Sequence, residues 1–459
     1  MLAHGRRPRW THRLRGGVLV NASTMILLLR PSKDQSGILV LPVAAFAMVT
    51  TLVMTVIGGA QSFWAWTDPE APIYQILATI ALVLLVVPLT SLGGAAARLS
   101  ARRRDERLST LRLLGVTPSG VATLTVIESV LLAGTGALIG GVGHLALSPL
   151  IGLIPFRGEP LGQSAAALSP VNILIVVASV LVLAAASAAI GLRRVSISPL
   201  GVRMRTTATK VHWMRAVIAA IVLAIAFTVI SVFPGAGGYV ATVVVVAGMF
   251  AGVLAVLNLV GPWALKVTAA NQLRRAEKPE RLLAARLVLD SPKSAWRQVG
   301  GVAMSSFMAV FAGTGVSVMT TMSDASAAPE DIALVTDMRT GLIITLVASF
   351  LMVAVSVSIN QASEVLDQRP LHRSLHHLGV PLDTVDRARR RAVLSPLLIT
   401  AIGSALCAGV LVFPLMGLAL ITAPLSLVTI AGVVAVGIGV VWISTRATRP
   451  LLARSFAGA

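Results

Sequence analysis

Apolar residues in this chain fall in long unbroken runs, not in the alternating or one-faced patterns of soluble elements. Such runs cover about 37–61, 73–97, 119–147, 170–191, 213–233, 239–265, 299–320, 341–361, 393–413 and 424–445. A helix rises 1.5 Å per residue, so ~20 apolar residues match a hydrocarbon core ~30 Å thick. The pattern predicts an all-α polytopic membrane protein with ten transmembrane helices. Two further stretches, residues 10–30 and 281–301, mix charge with apolar positions. In the first, Leu14, Val18, Met25 and Leu29 lean one way with Arg13 and Arg15 among them, as in a helix lying at the membrane interface.

Charge then orients the spans. Of the 38 basic residues, 36 fall in the two termini and the connections after the second, fourth, sixth and eighth spans. The opposite connections hold only Arg157 and Arg339, beside Asp68, Glu70, Glu159, Asp324, Glu330, Asp331 and Asp337. The positive-inside rule places both termini in the cytoplasm. It also accounts for the net charge of +20 without nucleic acid, the basic loops facing anionic lipid headgroups. Hydrophobic residues make up 56% of the chain and mean hydropathy is +0.87. Cys407 is alone, which excludes an intrachain disulfide or a cysteine zinc site.

One short motif occurs twice. A shift of 264 residues lays Leu111 on Leu375, Leu114 on Leu378, Gly115 on Gly379, Val116 on Val380 and Val121 on Val385. Each copy sits between the second and third members of a group of four spans. The chain therefore divides into a segment 1–36, a first repeat 37–205, two linking spans 206–270, a linker 271–298, a second repeat 299–446 and a tail 447–459. Parallel repeats imply a pseudo-two-fold axis along the membrane normal. Leu108, Leu111 and Leu114 recur on one face of a short helix, with Arg104, Arg107 and Arg112 as its polar side. Gly115 suits a helix stop with positive φ, and Pro118 a new helix start. The product is an amphipathic helix across the ends of two spans, either an interfacial anchor or a segment that docks into a partner's groove.

The block "RRRDERLSTLRLLGVTPSGVATLTVIESVLLAGTGALIGGVG" resembles the signature of FtsX-like (MacB-type) ABC transporter permeases, and "GLRRVSISPLGVRMR", Gly191 to Arg205, is similar to the exit of their fourth span. The four-two-four layout resembles the bacitracin-export-type permeases. The resemblance implies a permease in a bacterial cell membrane, served by a separate cytoplasmic ABC ATPase dimer that binds the ATP and Mg; no cofactor is expected on this chain. It assigns coupling to Leu111, Arg112, Leu114, Gly115 and Val116, and to Leu375, His376, Leu378, Gly379 and Val380, with His376 where the family has Arg. No Gly-Lys dipeptide occurs, so no Walker A loop exists and the chain is not itself an ATPase. The connections at about 59–72 and 321–340 are too short for the external domain that many such permeases carry. A lipophilic or amphipathic substrate, such as a lipid, drug or antimicrobial peptide, is expected. The alternative is a mechanotransmitter acting on an extracytoplasmic enzyme or a sensor kinase; an ion-driven transporter ranks third for want of intramembrane charge.

Other residues carry less. Glu128 lies inside the third span, where a carboxylate needs a protein partner, and is a candidate functional contact; Ala392 stands in its place in the second repeat. Gly136, Gly140 and Gly141 permit close helix approach. His144 has no ligand-type residue near it in sequence, and neither a metal site nor a catalytic constellation is expected. Trp64 and Trp66 fit an outer aromatic belt, and Asn258 an interhelical hydrogen-bond donor.

Overall fold

The computed structural model of the chain describes residues 36–113, 118–196, 238–323, 329–368, 377–422 and 424–446, with 371, 374, 375, 449 and 452. The stretch 10–30 and the span expected at 213–233 lie outside the described residues. Among the described residues nine helices are long and apolar enough to cross a membrane, and the chain is an all-α multi-pass membrane protein.

The first four spans are α1 (Ser36–Gln61), α2 (Ala71–Leu113), α3 (Pro118–Gly152) and α5 (Pro170–Ser196). A two-residue hairpin, β1 (Pro155–Phe156) with β2 (Glu159–Pro160), and the single turn α4 (Gln163–Ala166) join α3 to α5. Then come α6 (Gly238–Arg274) and the short amphipathic α7 (Pro279–Asp290). The last group is α8 (Pro292–Ser323), α9 (Pro329–Asp367), α10 (Leu382–Leu411), the ten-residue α11 (Phe413–Thr422) and α12 (Pro424–Arg446). The 264-residue shift relates the starts of α3 and α10, Pro118 and Leu382.

The stretch 281–301 divides between α7 and α8, α9 and α10 begin before their apolar runs, and the second span differs most. The span at 73–97 and the amphipathic helix after it form a single helix, α2, of 43 residues. Nothing in "ARLSARRRDERLSTLRL" breaks a helix. Leu, Arg, Glu and Ala are all good helix formers, so the helix passes from lipid into the charged segment without interruption. Pro88 sits inside its apolar part, where a membrane helix tolerates it.

Two apolar cores result. One gathers Phe46, Leu92, Ala133 and Ala137 from α1, α2 and α3, and Met352 and Ile359 of α9 reach into it. The other gathers Leu265, Trp296, Val302, Phe350, Val357, Leu397 and Val441 from α6, α8, α9, α10 and α12. The seam between the groups is α2 against α9. Within the first group α3 lies tightly on α1, because a Cβ on Gly136 would come within 2.6 Å of Phe46 and one on Gly140 within 2.6 Å of Thr50. Gly141 has no described atom within 4 Å of a Cβ added there and takes no part in that seam, a correction to the sequence reading. Asn258 on α6 acts as acceptor, not donor: the Trp296 indole N–H of α8 donates to its Oδ1 at 2.7 Å.

Candidate functional site

Two clusters stand out, one at each end of the bundle. At the basic end, Leu111 and Arg112 occupy the last turn of α2, while Leu114, Gly115, Val116 and His376 lie outside the described residues. The second copy of the motif shows the turn itself. Gly379 has φ +77°, the left-handed conformation that ends a helix at low cost only for glycine. The Val380 N–H donates to the Leu375 carbonyl at 3.0 Å, spanning six residues, and both side chains pack with Val365, Val385 and Leu452. This is a Schellman cap with its hydrophobic contact. Leu378, one residue before the glycine, is turned the other way and is 78% exposed. The turn thus has an anchored face, Leu375 and Val380, and a presented face, Leu378.

Beneath that turn lies a charge cluster that the sequence pattern did not single out. Asp386, in the second turn of α10, is fully buried and pairs with Arg390 and, at 3.5 Å, with Arg389. Arg389 is buried as well, and Glu364 of α9 is a second acid acting on it. Glu364 also accepts from Gln361 and Gln368, each at 3.3 Å, and Gln361 reaches Gln298 of α8 at 3.2 Å. Arg449 donates to Asp383 at 3.2 Å and brings the tail against the start of α10. In sequence these arginines read as an ordinary basic loop. Only the i, i+3 and i, i+4 spacing from Asp386 hinted at pairing.

The acidic end carries the second cluster. Arg157 and Gly158 turn the hairpin with φ +54° and +77°, as a two-residue primed turn requires. The Arg157 guanidinium lies 4.2 Å from the Trp66 ring centre and 4.7 Å from that of Tyr74. It pairs with Asp68 at 2.5 and 3.1 Å and with Glu70 at 3.4 Å. The hydrogen bond from Arg157 holds the Asp68 carboxyl below its usual range, and Asp68 in turn holds the guanidinium more firmly protonated. Asp337 of α9 completes the set from the other group. Its buried Oδ2 accepts the Tyr74 hydroxyl at 2.7 Å and the Arg157 backbone N–H at 2.9 Å. Phe63 and Phe156 pack edge to face behind it. Trp66 therefore belongs to this cluster, whereas Trp64 is half exposed. The available signal was a lone arginine among acids on that side of the membrane.

The remaining candidates are structural in their surroundings. His144 is fully buried; its Nε2 accepts the Leu168 N–H at 3.2 Å, so the Nδ1 proton faces Thr55 Oγ1 at 3.4 Å. The ring ties α3 to α1 and to the connection before α5. Glu128 is half-buried on α3 and is not without an interaction partner. Among the described residues no group of three His, Cys, Asp or Glu is placed to hold a metal.

Residues 94–200 match the family model described as FtsX-like permease C-terminal. No curated protein and no solved structure matches the chain. The matched segment runs from the basic half of α2 through α3 and the hairpin to the end of α5, and so spans the first copy of the motif. It supports a membrane subunit of the ABC transporter permease type.

Proposed function

We propose that this chain is the permease subunit of an ABC transporter and that its two basic-end turns, 108–120 and 371–385, dock a separate cytoplasmic ATPase dimer. Closure of that dimer on ATP and Mg moves the two groups of four spans against each other. The work exports or extracts a hydrophobic or amphipathic molecule, a lipid, drug or peptide. The basic end faces the cytoplasm of a bacterial cell, as the charge asymmetry favours. Both repeats in one chain suit one permease per ATPase pair.

The observation that carries this reading is Leu378. A leucine held exposed in an aqueous region, at the tip of a turn whose other face is clamped to the bundle, is a contact that lacks its partner. The test is recovery of the tagged chain from its native membrane with Leu378→Asp and Gly115→Asp. An ATPase that accompanies the parent chain and falls by about tenfold or more with Leu378→Asp, at unchanged thermal stability, bears the reading out. Undiminished recovery, or no ATPase with the parent chain, overturns it. A complex that hydrolyses ATP without response to any lipophile, and that contains a sensor kinase, assigns the same motion to mechanotransmission.

A further inference from the structure

The acidic-end cluster does more than fold a loop, because it joins the two groups of spans. Tyr74 and Arg157 belong to the first group and Asp337 to the second. The 264-residue shift lays Ile73 on Asp337 and Tyr74 on Met338, so the two partners are equivalent positions one residue out of register. The same shift lays Arg157 on Ile421, which is exposed on α11 in a connection without a hairpin. The shift-related positions Ile73 and Ile421 are apolar, so among the described residues this polar joint has no copy in the shifted register.

We propose that Asp337, with the Tyr74 hydroxyl and the Arg157 amide, is a gate latch that closes the seam between α2 and α9 at the acidic end and must open for the two groups to part there. Three features fit a latch better than permanent glue. The acceptor is one carboxylate oxygen, shared by both donors, so a single movement of α9 releases both. Neither donor is charged, since the Arg157 guanidinium is occupied by Asp68 and Glu70 on its own side. The hairpin stays with the first group when Asp337 leaves, because those ion pairs and the ring contacts with Trp66 and Tyr74 all lie within that group.

The latch rests on geometry, while its coupling to ATP rests on the permease reading, and one experiment separates the two. In a Cys407→Ser background, Ala78→Cys places a thiol one turn from Tyr74 on the same face of α2, at a position that is 7% exposed. Labelling by a membrane-impermeant maleimide, applied from the acidic-end side of native membrane vesicles, reads the opening of the seam. Asp337→Asn and Tyr74→Phe should each raise the labelling rate by about tenfold, the effect of removing one hydrogen bond to a charged group. The double variant should rise no further than Asp337→Asn alone. Ile332→Cys, already exposed, should label equally in all backgrounds. A thermal melt in detergent checks folding; if Asp337→Asn melts early, the result is read from Tyr74→Phe, which keeps the ring. Unchanged labelling of Ala78→Cys in the well-folded variants overturns the latch. If labelling responds to the substitutions but not to ATP added to vesicles containing the native complex, the latch stands and the permease reading falls.

Discussion

The two groups of four spans follow one plan but are braced differently. In the last group, 72% of the apolar stretch of α8 and 67% of that of α9 are buried inside the protein. Their counterparts α1 and α2 reach 39% and 31%. The cause is visible in the packing. The linking span α6 and the amphipathic α7 both lie on the last group, α6 against α8 and α7 against α10, locked by Trp296 over Gly261. Both groups also turn apolar side chains outward, Leu131, Leu138 and Leu174 in the first and Leu398, Ile402 and Val436 in the last. In a bilayer that surface costs nothing, because lipid tails are as apolar as leucine. Among the described residues the difference thus lies in α8 and α9, which protein encloses where it leaves α1 and α2 open.

The largest expected break in this comparison is electrostatic. Asp386 and Arg389 are buried in the last group, while the positions 264 residues earlier are Ala122 and Thr125. Replacing Asp386 with Ala takes from Arg390 its ion-pair partner and leaves buried Arg389 only the more distant Glu364, and should cost about 3–5 kcal/mol, read as a lowered melting temperature. Arg387→Ala, at an exposed position next to Asp386, should cost under ~0.5 kcal/mol. Equal losses at the two sites would mean that the buried pair contributes nothing specific. Next in size is the α1–α3 seam. Gly136→Val or Gly140→Val pushes a side chain into Phe46 or Thr50 and should cost about 1–3 kcal/mol, with Gly141→Val near zero as the internal control.

The smallest effect is acid sensitivity at the hairpin. The Asp68 carboxyl is held below its usual value, so its stabilisation is complete above the ordinary carboxylate range and fades as pH falls through the lowered one. Acidification should loosen the hairpin, read as faster protease nicking at Arg157, and Asp68→Asn should be loose at every pH. A hairpin equally tight in acid with native Asp68 would show that the ring contacts alone hold it.

What the sequence disclosed and withheld follows physical lines. The spans were legible because lipid demands an unbroken apolar run, and the bounds of α1 and α12 each differ from the runs by one residue, at one end only. The stop at Gly379 was legible because the left-handed turn has few takers. The extent of α2 was not, since hydropathy marks where lipid ends and says nothing about where a helix ends. The joint at Asp337 was invisible because its partners lie 263 and 180 residues away. Burial of Asp386 was hidden by the arginines around it, which give the whole stretch the look of a solvated loop. Asn258 was recognised as an interhelical contact with its polarity reversed, because the direction of the bond depends on Trp296 on another helix.

The unbroken length of α2 has a mechanical consequence. Its 43 residues make a rod of ~65 Å that starts beside the acidic-end cluster and finishes at the first basic-end turn. Pro88 lies near the middle. Such a rod is a lever with arms of ~30 Å, and a tilt of about 5° moves each tip by ~3 Å in opposite directions. That travel is small against the size of a docking partner, yet it exceeds the slack in a hydrogen bond such as Tyr74 to Asp337. A nudge at one face of the membrane is therefore felt at the other through one helix, with no relay of side chains in between.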